Sequence, residues 1–224
     1  MARSNSAMSK LLVKSWCGQD EQLVYLFGDA ERDGYVASST GGRTLVPHVV
    51  TGEAVRVAAS ERNDRAPMSE LAGGNFVGDE LVHDPGLWAW AQAGTPDATA
   101  VRFADQLAAG GQAARLAITS HRVAVVVDAD SLVDPEPASE VPSSLLGKAK
   151  SVVQSVQQRS ADGPPVTTCC EAELRSLRGV EPVPMGRGGM PVWFFGVHFA
   201  DGSRLLCKHA EPAQLVETIR LNAR

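Results

Sequence analysis

The strongest constraint on the fold is the stretch from Ala114 to Asp128, where apolar residues alternate with other types on either side of a polar break. If Ser120 and His121 form the turn of a hairpin, three apolar pairs face each other across two strands. The pairs are Ile118 with Val123, Leu116 with Val125 and Ala114 with Val127, while Arg115, Thr119 and Arg122 fall on the opposite face. This alternation predicts a half-buried antiparallel hairpin at the centre of the fold.

Composition excludes several classes of function. A chain of 224 residues, 44% of them hydrophobic, is long enough for a single domain with a real core. The net charge of -5 disfavours a nucleic-acid partner, which requires clustered Lys and Arg. No run of 18 apolar residues suggests a membrane span, and the N-terminus lacks the apolar region of a signal peptide, so we expect a cytoplasmic protein.

The cysteines are expected to be structural. Cys17, Cys169, Cys170 and Cys207 show no CxxC spacing, and a regular strand would point the adjacent Cys169 and Cys170 to opposite faces. We therefore predict reduced thiols, with no metal and no cofactor. The alternatives are a zinc site that combines Cys207 with nearby histidines and a calcium site in the acidic loop after Asp128, and both lack a full ligand set.

Several elements are predicted before the central hairpin. Residues 1–22 form either a disordered tail or a short docking helix, residues 33–43 form a loop, and residues 60–82 form a surface insertion. Strands are expected at Leu23 to Phe27 and at Thr51 to Ala58.

Two Pro-containing starts predict helices in the same region. Asp84-Pro85 would begin a helix through Leu87 to Ala91, and Thr95-Pro96 would begin another that ends at Gly110-Gly111.

The clearest helical pattern covers residues 143–160, where the apolar residues form one stripe beside a basic flank. From this pattern we select as candidate interaction residues Leu146, Lys148, Lys150, Val153, Val156 and Arg159. The helix could cover the sheet, bind a partner protein or lie on an anionic membrane. The absence of Trp and Phe from the stripe weakens the membrane interpretation.

The last sixty residues predict a return to sheet. Strands are expected at Val166 to Cys170 and Val180 to Val183, with a helical turn between them. A second hairpin joins Val192–Phe199 to Ser203–His209. A three-residue loop with Gly202 left-handed keeps the apolar residues on one face and makes Cys207 a buried residue. Glu211-Pro212 opens a final helix whose inward stripe is Leu215, Val216 and Ile219.

A glycine-rich turn at Met185 to Met190 adds Arg187 to the candidate interaction residues, because backbone N–H groups and a guanidinium together suit a small anion. Turns of this kind are common between strands, so the alternative is a turn that binds no ligand. No Gly-x-Ser-x-Gly elbow, His-x-x-x-His pair or phosphate loop is present, and we expect no enzymatic activity.

The order of these elements resembles the bacterial pleckstrin-homology-like and GRAM-like domains. The resemblance rests on the turn Thr-x-x-Arg of the central hairpin, here Thr119 and Arg122, and on Phe-x-Asp-Gly-Ser of the late hairpin, here Phe199 to Ser203. It covers roughly residues 50–220.

The resemblance implies an α+β fold with a mostly antiparallel, bent sheet, a near-barrel capped by the C-terminal helix. We expect residues 1–45 to be a tail or docking segment and 46–224 a single domain with insertions at about 60–110 and 130–165. Such domains bind lipid headgroups, peptides or proteins. The expected function is therefore a non-catalytic module for protein–protein or membrane-surface interaction. The alternative is a regulator or enzyme that binds a small anion near Arg187.

Overall fold

Two mostly antiparallel sheets and three helices form an α+β fold in the computed structural model, which describes residues 3–28, 34–59, 67–68, 79–133, 164–187 and 190–223. The helices are α1 (Asn5–Ser15), α2 (Thr99–Gly110) and α3 (Pro212–Asn222). The strands are β1 (Leu23–Phe27), β2 (Tyr35–Thr40), β3 (Arg43–Leu45), β4 (Leu87–Ala93), β5 (Ala114–Thr119), β6 (Arg122–Asp128), β7 (Val166–Glu173), β8 (Gly179–Met185), β9 (Val192–His198) and β10 (Arg204–Lys208).

The central hairpin forms in the predicted register. Ile118 pairs with Val123, Leu116 with Val125, and Ala114 with Val127. The alternation of the sequence was sufficient here because a slip of one residue would have turned all six side chains away from the core.

The first sheet has the strand order β1-β5-β6-β7, and the second has the order β3-β2-β4-β10-β9-β8. Among the described strands, only β2 and β4 pair in parallel. The sheets pack against each other through one core, and the described strands form no closed barrel. Helix α2 contacts both sheets, through β2 and β4 on one side and β5 and β6 on the other, whereas α3 contacts β8, β9 and β1.

The predicted core residues lie in one cluster, as expected. Six residues predicted from both hairpins belong to the core between the sheets and are at most 2% exposed: Leu116, Ile118, Val123, Val125, Val197 and Phe199. The inward stripe of α3 is also buried.

The second hairpin also has the predicted register. Leu205 pairs with Val197 and Cys207 with Phe195. Gly202 adopts a φ of 85°, the left-handed conformation that the three-residue loop requires. Cys207 is fully buried, because the register places it on the core face.

The helix predicted after Asp84-Pro85 is wrong. The Asp84 side chain accepts a hydrogen bond from Gly86 N at 2.7 Å, which makes a turn rather than a helix cap. The following residues form β4, whose first five positions are all buried. A strand buried on both faces shows no period-2 alternation, so its apolar run was read as a helix.

Three other predictions before the central hairpin need correction. Residues 33–43, expected as a loop, contain all of β2 and the first residue of β3. Residues 51–58 form no strand, only an isolated bridge between Val57 and Leu132. Helix α2 begins at Thr99, three residues after Pro96, although it ends near Gly110 as predicted.

The outer face of the first sheet is covered rather than solvated. Residues 5–15 form α1, one of the two forms expected for this segment, and its Met8 and Leu12 pack on this face. The sheet contributes Leu26, Ala117, Ala124, Val126 and Val166 to the same cluster. None of the helices in the described ranges is long and apolar enough to cross a bilayer.

Candidate functional site

The candidate interaction residues predicted from the amphipathic stripe lie outside the described residues, as does the whole of 143–160 and most of the insertion at 60–82. Arg187, the remaining candidate, is exposed in the turn that connects β8 to β9. The structure therefore places one predicted interaction residue, and its surroundings define the first site to consider.

Large exposed side chains flank Arg187 along the chain. Met190 is 83% exposed in the same turn, and Trp193 on β9 is 41% exposed. Trp193 lies opposite the exposed Pro184 of β8 in the strand register. We call Pro184, Arg187, Met190 and Trp193 the hairpin surface. A Trp with this exposure leaves a large apolar area in contact with solvent.

The base of this hairpin contacts the segment from Asp79 to His83. Gly186 has a φ of 94°, and a Cβ atom at this position would lie 2.6 Å from Nε2 of His83. Its N–H donates to Asp79 Oδ2 at 2.7 Å. The Asp79 carboxylate therefore occupies an N–H group of the turn and places negative charge beside it, which disfavours a small anion near Arg187.

Strand β8 lies at the edge of the second sheet and carries Pro182 and Pro184. Proline lacks an N–H group, so these residues interrupt the row of donors that another strand would need in order to pair. These prolines therefore disfavour the addition of another strand at this edge.

A second candidate is a buried chain of polar side chains that sequence reasoning missed. Ser38 Oγ lies 2.7 Å from His48 Nδ1, and His48 Nε2 lies 2.8 Å from Asp105 Oδ1. These residue types in this order resemble the nucleophile, base and acid of a hydrolase. The three residues come from β2, an irregular segment and α2, and no short motif links them.

The Ser38 chain has a structural role in this conformation. The His48 and Asp105 side chains are 1% and 3% exposed, and Ser38 is 2% exposed, so the hydroxyl group does not face solvent. Asp105 also accepts hydrogen bonds from the backbone N–H groups of Thr51 (2.9 Å) and Gly52 (3.2 Å). These contacts fasten the segment after β3 to α2, which explains why a strand is not needed to hold it.

The neighbouring side chain on α2 completes this attachment. Gln106 accepts a hydrogen bond from Val55 N at 3.0 Å and donates from Nε2 to Glu53 O at 2.8 Å. Two consecutive polar residues of a buried helix thus satisfy an irregular segment whose backbone would otherwise lack partners.

The Thr-x-x-Arg turn of the central hairpin is the centre of an ionic network. Arg122 pairs with Glu21 through Nε at 2.8 Å and with Glu171 at 2.7 Å, and its guanidinium lies 4.1 Å from the ring centroid of Trp16. Partial burial would raise the pKa of Glu21, but hydrogen bonds from Arg122, Gly18 and Thr119 outweigh it and lower the pKa. The network connects the turn between α1 and β1 to the central hairpin, and these contacts engage the Arg122 guanidinium within the chain.

The Asp-Gly-Ser turn of the late hairpin caps a helix that is distant in sequence. Asp201 Oδ2 accepts from Thr99 N at 2.7 Å, and Ser203 Oγ accepts from Ala100 N at 3.1 Å. Ala98 occupies the N-cap position of α2, and its side chain makes no capping hydrogen bond. Both motifs behind the family resemblance therefore make tertiary contacts in this chain.

The adjacent thiols lie on one face of the first sheet, not on opposite faces as predicted. A β-bulge pairs Val125 with Cys170 and Val126 with Thr168, so Cys169 is an extra residue and both thiols pack against the core. Burial raises the pKa of Cys169 to about 12 and, with the Cys169 thiol beside it, that of Cys170 to about 12. Within the described ranges, no three metal-ligating side chains cluster.

Comparisons with protein-family models, with curated proteins and with solved structures find no match to this chain.

Proposed function

We propose that this chain is a non-catalytic binding module of pleckstrin-homology-like type whose hairpin surface binds another protein. The observation that carries the proposal is the exposure of Trp193 and Met190 next to Arg187. Trp, Met and Arg are enriched at protein interfaces, and Trp and Arg dominate binding hot spots.

The anchoring of the hairpin base supports the same proposal. Gly186 is anchored to Asp79, and Trp193 O accepts a hydrogen bond from His209 N at 3.1 Å, so β9 is tied to the residue that follows β10. A surface held in place before binding loses less conformational entropy when a partner docks.

The pleckstrin-homology-like part of the proposal rests on the order of the elements and on the two turn motifs. It is compatible with two mostly antiparallel sheets that share one core and with a C-terminal helix, α3, that packs at the β1, β8 and β9 side. A protein partner is favoured over a membrane because the hairpin surface carries a single basic side chain, whereas attraction to anionic lipid requires several. The Asp79 carboxylate argues against the small-anion alternative.

The proposal is tested by capture from native extract with the full chain as bait. We expect a protein that is retained by the wild type and lost with Trp193→Ser, and retained with the matched control Leu221→Ser, which alters a residue of α3 that is 77% exposed. Equal retention by all three baits would contradict a role for the hairpin surface. Co-sedimentation with phosphatidylserine vesicles that is lost with Trp193→Ser would replace the protein partner by a membrane, and saturable binding of inorganic phosphate would favour the anion alternative.

A further inference from the structure

The outer face of the first sheet is a groove that this chain fills with its own helix. Its floor is apolar, with Leu26, Ala117, Ala124, Val126 and Val166 each at most 8% exposed beneath α1. The helix inserts Met8 and Leu12, which are four residues apart and therefore lie on the same side. This face is separate from the hairpin surface and from the core between the sheets.

The N-terminal end of the groove is polar and acidic. Arg3, which precedes α1, pairs with Asp128 and, at 2.7 Å, with Asp130. The buried guanidinium of Arg115 donates to the Arg3 carbonyl at 2.8 Å and to Asn5 Oδ1 at 2.9 Å. This end of the groove thus contacts a basic residue and its backbone carbonyl just before the helix, and a side-chain amide oxygen at the first helical residue.

The resident helix depends on the groove for its stability. It has 11 residues, shorter than the length at which isolated helices become stable in water, and its first turn contains no acidic residue. It joins no strand, and only Met8 and Leu12 are fully buried. Its release would leave the strand-to-strand hydrogen bonds of the first sheet in place, and the ionic network around Arg122 would still hold the turn that follows it. Release would, however, remove the Arg3 and Asn5 acceptors of Arg115 and the Arg3 partner of Asp128, so an incoming helix must replace these contacts.

We propose that this groove is a second binding site, specific for an amphipathic helix, and that α1 is its exchangeable occupant. The partner it fits is a helix with two apolar residues four positions apart and a basic residue just before its first turn. In the isolated chain α1 occupies the groove because its tether gives it a high effective concentration. A partner helix binds by displacing α1 and pairing with Asp128 and Asp130.

The test uses the full chain and a fluorescent synthetic peptide of residues 3–15. Leu12→Asp in the full chain places a charge on the apolar floor and releases α1, so the peptide should bind this variant at least about tenfold more tightly than the wild type. Val13→Asp is the matched control, because Val13 is 61% exposed and adjacent in sequence. Its affinity for the peptide should equal that of the wild type.

Arg3→Glu provides a second variant that leaves the apolar contacts intact. Its repulsion from Asp128 and Asp130 should also raise peptide affinity, and a peptide that itself carries Leu12→Asp should not bind any variant. Near-UV circular dichroism identifies the variants that retain the fold, and Arg3→Glu decides the question if Leu12→Asp unfolds. The proposal would be overturned if the peptide bound the wild type and every folded variant of Leu12 or Arg3 with equal affinity. It would also be overturned if the peptide bound none of them.

Discussion

The cap that Asp201 provides for α2 gives a stability prediction that depends on a contact between distant parts of the chain. Asp201→Ala removes the acceptor for Thr99 N and a negative charge at the N-terminus of a buried helix, where Ala98 supplies no substitute. Loss of a capping side chain costs about 1–2 kcal/mol in free energy of unfolding. For a chain of this size each kcal/mol corresponds to roughly 2–4 °C in Tm.

The effect should depend on pH. Partial burial would raise the pKa of Asp201, but hydrogen bonds from Ser203 and Thr99 outweigh it and hold the pKa well below its ordinary value. A carboxyl whose pKa is lower in the folded state stabilises the protein above its unfolded pKa of about 3.9 and loses that contribution as pH falls. The difference in Tm between wild type and Asp201→Ala should therefore be largest near neutral pH and shrink in acid.

Thermal unfolding followed by far-UV circular dichroism measures both effects. Glu217→Ala is the control, since it also removes one carboxylate but at an exposed position of α3, away from this cap. It should leave Tm close to that of the wild type. An Asp201→Ala variant with wild-type Tm, or with a Tm difference that is unchanged in acid, would refute the reasoning.

Three further predictions concern the core, the thiols and the hairpin turn. Val125→Ala should lower the free energy of unfolding by about 1–3 kcal/mol through lost burial and a cavity, measured by urea denaturation; a wild-type midpoint would contradict the shared core. A zinc chelator should leave Tm unchanged, and Cys207 should resist a thiol reagent until unfolding, because burial raises its pKa; a large fall in Tm or rapid labelling would show otherwise. Gly186→Ala should cost about 1 kcal/mol or more, because its φ of 94° and the nearby His83 ring exclude a methyl group; a neutral result would mean that the hairpin base adapts.

The central hairpin could be predicted from the sequence although both of its faces are buried. The large apolar residues of β5 and β6 alternate along each strand, and a slip of one residue would have turned Leu116 and Val125 away from the core between the sheets. The late hairpin was predictable for a second reason, because Asp201 and Gly202 restrict the loop to a few conformations.

The predictions failed where burial on both faces removes the alternation. Residues of β4 pack into two different apolar clusters, so Leu87 to Ala91 contains no polar residue to mark a face. The covering of the outer face of the first sheet was also not predicted. The sequence pattern places Arg115 and Arg122 on a solvated face, whereas in the structure both side chains donate hydrogen bonds to the segment 3–22.

The candidate sites were largely beyond the sequence. Ser38, His48 and Asp105 meet only because β2, the following segment and α2 pack together, and their spacing in the chain carries no signal. Met190 and Trp193 were not selected because exposure cannot be read from residue type. The bulge that places Cys169 and Cys170 on one face likewise depends on how β6 pairs with β7.

The most direct test of the proposed function is site-specific photocrosslinking at Met190, the most exposed large apolar residue of the hairpin surface. A photoreactive amino acid at this position in the full chain should yield one discrete covalent adduct with a protein in native extract. The same amino acid at Leu221, 77% exposed on α3, should yield none, and Trp193→Ser should abolish the adduct at position 190. No adduct at position 190, or the same adducts from both positions irrespective of Trp193, would contradict the account.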